Sequence, residues 1–582
     1  MYRDQQHHKW LDRQLKEQFP DDIVVRYLIK PRNNIVITEI VNDFIHEFSG
    51  SSWTDLPAEY LNKIHQRENY LYDLTINEYS NHAYMSIAFP HQNFDINLGG
   101  IAQLLGIIAG DNISSKKLEM IRITDIVFPK LILQQFPGPS HGIDGIREIY
   151  KIDTYPILQM ILKPRLGLTA QDYAKISYQA AIAGVDAIRD DQMLVSTSYC
   201  SFQKKIEAIS QIIKKAQDKT GRPILYYPNI TMSQKNIKRV IDDLREKEIR
   251  ALTINAIFSG FGSIEYLRDI ASDFIIQAHR SGYVLLSNNV RFSISYSVLA
   301  QLLHLSGADE IHIGSIFGRF DVKKQEALNS LKYITKSAED KKTSFPIISG
   351  SVTPAIIEAT VNEIGHDIIF MAGSGIIGHP LDIEAGVKSI KEMIDIVMDG
   401  TRIESHLSNQ KTSKELMHAI YLWGYKRDGI TPNDDIQKLA FQILQGKEVL
   451  DNDYKHKTEA ALDYYEKLFD DQEISIIKQA LNLTAKTVSI NVGQVTEKYV
   501  RRICLYNGIE YRQLFSAIEK LFESNLLEND LIVHLHGIRI LYNKAKHKNI
   551  FISFTEAIPA LNALISFFNW LDSTYKKAIC GG

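Results

Sequence analysis

The chain reads as an α/β protein in three parts: an N-terminal α+β domain, a central (β/α)8 barrel of the TIM type, and an all-α C-terminal appendage. Three observations predict this. Between about residues 141 and 427, eight short apolar strand patterns alternate with amphipathic helical stretches, as parallel barrels require. Ahead of them, strand-like and helical runs are mixed. Beyond them, helical patterns repeat and strand alternation stops.

In residues 1–140, strands are expected at Ile23–Ile29 and His82–Phe89 and helices at Ile35–Phe48 and Ile101–Ile108. The apolar run from Ile101 to Ala109 contains Gln103 and Gly106 and falls well short of the ~18 residues of a membrane span, so it reads as a buried helix. The barrel region, residues 141–427, offers strands at Ile157–Lys163, Val185–Asp191, Pro223–Tyr227, Ala251–Ala256, Phe274–His279, Glu310–Gly314, Phe345–Ser349 and Asp367–Ala372. Each is followed by a turn and a helix-like pattern, as in the stretch from Thr169 to Ser177. A last helix is expected over Glu415–Trp423. Residues 428–582 begin with polar, helix-prone connecting segments to about 470 and continue as amphipathic helices.

With 582 residues and 45% apolar content the chain can form several cores. Lys and Arg number 66 against 69 Asp and Glu, a net charge of −3, which gives no general reason to expect a nucleic-acid or membrane partner. Cys200, Cys504 and Cys580 are far apart, which argues for a reducing cytoplasm and against a disulfide framework. The polar start lacks a signal-peptide core. A cytoplasmic protein is expected.

The active site of such a barrel lies where the strands end, and these strands end in polar groups: Lys163, the Arg189–Gln192 stretch, His279 and Arg280. Small residues follow the last two strands, Ser349-Gly350-Ser351 and Gly373-Ser374-Gly375. They let main-chain N–H groups close on an anion, and loops after strands seven and eight are the usual phosphate site.

Two stretches, Ile161-Leu-Lys-Pro-Arg-Leu-Gly-Leu168 and Gly184-Val-Asp-Ala-Ile-Arg-Asp-Asp-Gln192, resemble the KPKLGL and KDDE strand ends of the large chain of ribulose-bisphosphate carboxylase/oxygenase (RuBisCO). The resemblance covers roughly residues 20–427 and points to a RuBisCO-like protein of the form IV type with a ferredoxin-like N-terminal domain. It implies that Lys163 moves the proton at the substrate's enolisable carbon, with Arg165 nearby; the alternative is a rim lysine paired with Asp190 or Asp191. It also implies that Arg280 and His312 contact phosphate, with His279 beside them where the family reads HRxxH; here the last position is Tyr283. Glu47 and Ser52 match positions that reach a neighbouring subunit's site, so a homodimer or larger homo-oligomer is implied.

The family's metal corner is altered. Its carbamylated lysine, second aspartate and glutamate correspond to Arg189, Asp191 and Gln192. A guanidinium, with a pKa above about 12, cannot be carbamylated, and a glutamine offers a neutral oxygen where a hard cation wants charge. Either Asp191 still binds Mg2+ weakly, or Arg189 occupies the ion's place and pairs with Asp191; the second is favoured, and no cofactor is expected. Gly100 replaces a metal-proximal asparagine and Arg319 the lysine that touches CO2. The resemblance, with these changes, implies an enolase or isomerase acting on a phosphorylated sugar-like metabolite, with Arg189 and Arg165 stabilising the enolate, and not a carboxylase. The alternative is an inactive metabolite sensor or scaffold controlling the helical appendage. That appendage faintly resembles HEPN-type helical domains, but Arg539 and His547 do not meet the ribonuclease spacing. Nucleic acid is expected, if anywhere, only at that domain. The terminal Cys580-Gly581-Gly582 resembles tails that are conjugated to other proteins.

Overall fold

The computed structural model describes residues 21–47, 57, 59, 60, 63, 67–77, 79, 81–289, 291–318, 323–335, 341–409, 412–447, 452–469, 472–481, 485–546, 552 and 554–579. Ser52, Arg319, His547, the terminal Cys580-Gly581-Gly582 and the side chain of Glu47 lie outside them. The chain divides into two compact units, Met1–Gln437 and Lys438–Gly582. Among the described residues no helix is long and apolar enough to cross a membrane.

The first unit opens with β1 (Ile23–Pro31), β2 (Tyr70–Asn77), β3 (His82–Phe89) and β4 (Leu118–Val127). In β1, Ile23, Val25, Tyr27 and Ile29 are buried while the intervening residues are not, the period-two pattern of a one-sided sheet. Those residues pack with Ile40, Val41 and Phe44 of the helix Ile37–Glu47 and with Ile101, Leu104 and Ile108 of the helix Ile96–Ile108. The second helix starts earlier than the apolar run suggests because Asp95 accepts from the Leu98 N–H.

The barrel strands follow: β5 (Ile157–Ile161), β6 (Ala187–Arg189), β7 (Leu225–Tyr227), β8 (Ala251–Asn255), β9 (Ile275–His279), β11 (Glu310–Gly314), β12 (Phe345–Ser349) and β13 (Ile369–Ala372). All eight expected segments form strands. They pair in parallel in the order β7-β6-β5-β13-β12-β11-β9-β8, and an isolated bridge between Asn229 and Thr253 joins the two ends. β10 (Phe292–Ile294), in the loop after β9, has no counterpart in the sequence reading. It pairs in parallel with β4, so the N-terminal sheet has the order β10-β4-β1-β3-β2.

Two buried polar clusters hold the barrel interior. In one, Glu310 accepts from the Tyr227 hydroxyl at 2.7 Å and from Gln277 at 2.6 Å, while Gln159 bonds Gln277 at 2.9 Å. In the other, Asp190 is paired with Lys205 at 2.5 Å, both fully buried, and accepts from the Tyr226 hydroxyl and the Asn229 N–H, each at 2.9 Å. Lys205 also donates to the Leu194 carbonyl at 2.8 Å. This cluster ties β6, β7 and the loop after β6 together beneath the rim.

The described residues of the second unit form helices joined by turns, with no strand among them. Its core joins Val488, Val492 and Tyr499 of the helix Ala485–Tyr506, Leu535 and Ile538 of Asn529–Lys546, and Leu561, Leu564 and Phe568 of Phe554–Ile579. A Cβ at Gly493 would fall 2.2 Å from the Tyr542 ring, so glycine is what lets those first two helices touch there. Arg539 lies over the Phe515 ring, 5.1 Å from its centroid, and donates to His536 at 3.3 Å.

The polar groups of the barrel interior can be tested directly. Burial pushes the Glu310 carboxyl up to about 7, against the opposing hydrogen bonds from Tyr227, Gln277 and Gln159. A carboxyl raised by folding binds its proton more tightly in the native state, so its contribution is present at low pH and is lost as pH climbs through 7. Relative to Glu310→Gln, the wild-type chain is expected to lose ~3 kcal/mol of stability between pH 5 and 8, read as a Tm difference that opens with pH; parallel curves refute the assignment. Lys205→Met leaves Asp190 buried without its cation and is expected to cost ~3–5 kcal/mol in denaturant unfolding.

Candidate active site

A cavity of about 820 Å³ opens at the carboxyl ends of the strands. Its wall includes Lys163, Arg165 and Gln192 from the loops after β5 and β6, His279 at the end of β9 with Arg280 and Tyr283 beyond it, and His312 on β11. Ser349, Gly350 and Ser351 after β12 and Gly373, Ser374 and Gly375 after β13 complete it. Leu28, Met120 and Arg122 of the N-terminal sheet close one side. The side chains expected to act on a substrate and the two small-residue loops expected to hold its phosphate therefore meet in one space. Gly375 is sterically obligatory: a Cβ there would sit 2.0 Å from the Val352 carbonyl oxygen, in the loop that follows Ser351.

The altered corner is organised around Asp191, which is fully buried. Its carboxylate is in a short ion pair with the Lys163 ammonium and has the Arg165 Nε 3.9 Å away. The Met193 N–H donates to it at 3.0 Å. With its carboxamide nitrogen turned toward the carboxylate, Gln192 donates at 2.9 and 3.1 Å. The expected pairing of Arg189 with Asp191 is not what the fold adopts. Arg189, at the end of β6 and fully buried, donates through Nε and Nη2 to the Thr253 hydroxyl at 3.2 and 3.0 Å, and its Nη1 has no partner among the described residues. Asp191 points to the lysine one strand away instead, the nearer cation. Burial lowers the Arg189 pKa to about 10, against the pull of Asp191, Asp190 and Glu310, so it remains a cation at neutral pH. It lies beneath the cavity and does not line it.

Arg189 acts on its neighbours through its field. Burial, reinforced by Arg189, holds His279 and His312 well below the ordinary histidine range, so both rings are neutral. His279 Nδ1 accepts from the Ser281 N–H at 3.1 Å, which puts its proton on Nε2. The two rings meet edge-on with centroids 4.7 Å apart. His312 Nδ1 bonds the Ser349 hydroxyl at 2.9 Å, and its Nε2 is buried without a partner among the described residues. The Tyr283 hydroxyl, at the position where the family reads histidine, is likewise buried and unpartnered among them. Burial lowers the pKa of Lys163, with smaller contributions from Arg165 and Arg189, while Asp191 pulls the other way.

The donor set does not fit a divalent cation. Arg189 brings a positive charge, Gln192 an amide, and the Asp191 carboxylate is already engaged by the Lys163 ammonium, the Met193 N–H and the Gln192 amide. At Gly100, the adjacent carboxylate of Glu265 accepts from the Ile101 N–H at 3.1 Å. Among the described residues no three His, Cys, Asp or Glu side chains are grouped to hold a metal. Sequence reading missed Thr253, which takes the guanidinium, and Lys205, which fixes Asp190. Lys205 was legible: it falls on the buried face of its helix with Phe202, Ile206, Ile209 and Ile213.

Residues 9–132 match the N-terminal domain and residues 142–423 the catalytic domain of the ribulose bisphosphate carboxylase large chain. The ribulose bisphosphate carboxylase of Methanocaldococcus jannaschii is 30% identical over 419 residues, spanning 69% of this chain and 97% of that one. The dimeric archaeal RuBisCO of Hyperthermus butylicus superposes with a TM-score of 0.64 at 25% identity, over 70% of this chain and 97% of that chain. A RuBisCO-like protein from Burkholderia fungorum shares the fold with a TM-score of 0.62 at 22% identity, over 69% and 99% of the two chains. The chain belongs to the RuBisCO large-chain family, with an additional helical unit at its carboxyl end.

Proposed function

We propose that the barrel binds a phosphorylated sugar-like metabolite and catalyses enolisation or isomerisation without carboxylation and without a metal. The observation that carries this reading is the convergence in one cavity of Lys163 with two buried groups unpartnered among the described residues, His312 Nε2 and the Tyr283 hydroxyl. Unsatisfied polar atoms in a buried wall cost free energy unless a ligand meets them. Phosphate is received by Arg280, His312 and the loops Ser349-Gly350-Ser351 and Gly373-Ser374-Gly375. Lys163, as the free amine, takes the proton from the carbon beside the substrate carbonyl. Arg165 and the His279 Nε2–H face the oxygen that becomes negative, and Arg189 supplies a fixed positive potential from below. Substrate binding must draw the Lys163 amine away from Asp191, and the net lowering of its pKa favours the neutral form. Glu47 and Ser52 contribute from a partner subunit, so the working state is a homodimer or larger homo-oligomer, in line with the dimeric relative.

The test is deuterium incorporation into sugar phosphates in D2O. Exchange is expected to persist in EDTA and to fall at least ~100-fold in Lys163→Ala. Failure of every sugar phosphate to stabilise the protein thermally, or exchange that requires Mg2+, defeats the proposal.

One observation favours a second reading. The Asp191 carboxylate holds the Lys163 side chain in an ion pair, as suits a metabolite sensor that binds without turnover and controls the helical unit. On that reading, sugar phosphate alters protease protection of residues 471–582 while no proton exchange occurs; identical protection with and without ligand removes it.

A further inference from the structure

The helix Asn529–Lys546 of the second unit carries two stripes. Leu531, Leu535, Ile538 and Tyr542 are buried in the core of their own unit. The other stripe runs through Asp530, Val533, Gly537, Ile540 and Lys544, at alternating spacings of three and four residues that keep them on one line along the helix. It faces outward: Val533 is 68% and Ile540 59% exposed, Asp530 and Gly537 are exposed, and a Cβ at Gly537 would meet nothing.

The charges on this line are ordered about Gly537. Asp530 lies seven residues before it and Lys544 seven after; Glu528 lies nine before and Lys546 nine after. Laid antiparallel on a copy of itself, with the two glycines at the crossing, the helix sets each acidic end against the basic end of the other. The exposed valine and isoleucine then cover each other's flanks. Such a surface is its own complement, the requirement for an isologous two-fold contact. Glycine at the centre lets the axes approach, and three-four spacing favours a shallow crossing of ~20°. Lys544 is also paired with Glu556 of its own unit, yet its side chain is 38% exposed; Lys546 lies over the Tyr542 ring, 3.6 Å from its centroid.

We infer that the outward stripe of the helix Asn529–Lys546 is an interface for a second copy of this chain, the two helices crossing antiparallel at Gly537. The inference does not rest on what the barrel binds. One helix pair buries less than the ~1,200 Å² of a standard stable interface, so it is a weak contact on its own, and proximity is the right readout rather than elution volume.

The test uses the full chain with Cys580→Ser; Cys200 and Cys504 are buried. Gly537→Cys replaces a glycine in an exposed helix interior, where most residues are better helix formers. Mild oxidation is expected to give a disulfide-linked dimer with a 537–537 peptide by mass spectrometry. Asn543→Cys, exposed but off the stripe, is expected to give ~10-fold less. Asp530→Lys added to Gly537→Cys turns two attractive contacts repulsive and is expected to lower the yield ~10-fold at low salt, the effect of ~1.4 kcal/mol from two surface pairs. Equal yields at 537 and 543, no dimer at 537, a yield indifferent to Asp530→Lys, or a 537 thiol shielded from alkylation in a chain that stays uncross-linked (the face then being covered by the same chain) each overturn the inference.

Discussion

The Asp191 carboxylate accepts from the Lys163 ammonium, the Met193 N–H and the Gln192 amide, with the Arg165 guanidinium 3.9 Å away. The arrangement of the barrel mouth depends on that engagement. It occupies oxygens that a divalent ion would need, while Arg189, without an ion pair among the described residues, rests on the Thr253 hydroxyl. It also sets the resting position of the amine best placed to move a proton.

A buried cation stands beneath the cavity. That guanidinium does not line the cavity, and it reinforces the burial that keeps two facing imidazoles neutral. The neighbouring Asp190 is kept out of this chemistry by its own cation, Lys205, and by two further donors. Two adjacent aspartates thus have different tasks because different cations reach them.

The strands were legible because a parallel barrel buries them on both faces and their residues read as short apolar runs; Glu310–Gly314 and Phe345–Ser349 end where the pattern ends. Lys163, Arg280, His312 and the small-residue loops were legible as strand-end residues, since the barrel brings strand ends together whatever the loops do. Partner choice was not legible. Whether Asp191 faces Arg189 or Lys163 depends on ångström-scale placement across two strands, which spacing does not encode. β10 was invisible because three residues carry too little periodicity, and its partner lies over 160 positions upstream. The Arg189–Thr253 contact joins strands that are not sequence neighbours, so no local pattern announces it.

β10 also limits how the barrel mouth can move. The segment that leaves β9 carries Arg280 and Tyr283 and then enters the N-terminal sheet beside β4. A loop tethered at both ends by strand pairing has few conformations to lose when a guest arrives. Any rearrangement large enough to swing that arginine outward would have to unzip an edge of another sheet, so the mouth is a jaw whose hinge is set in its neighbour.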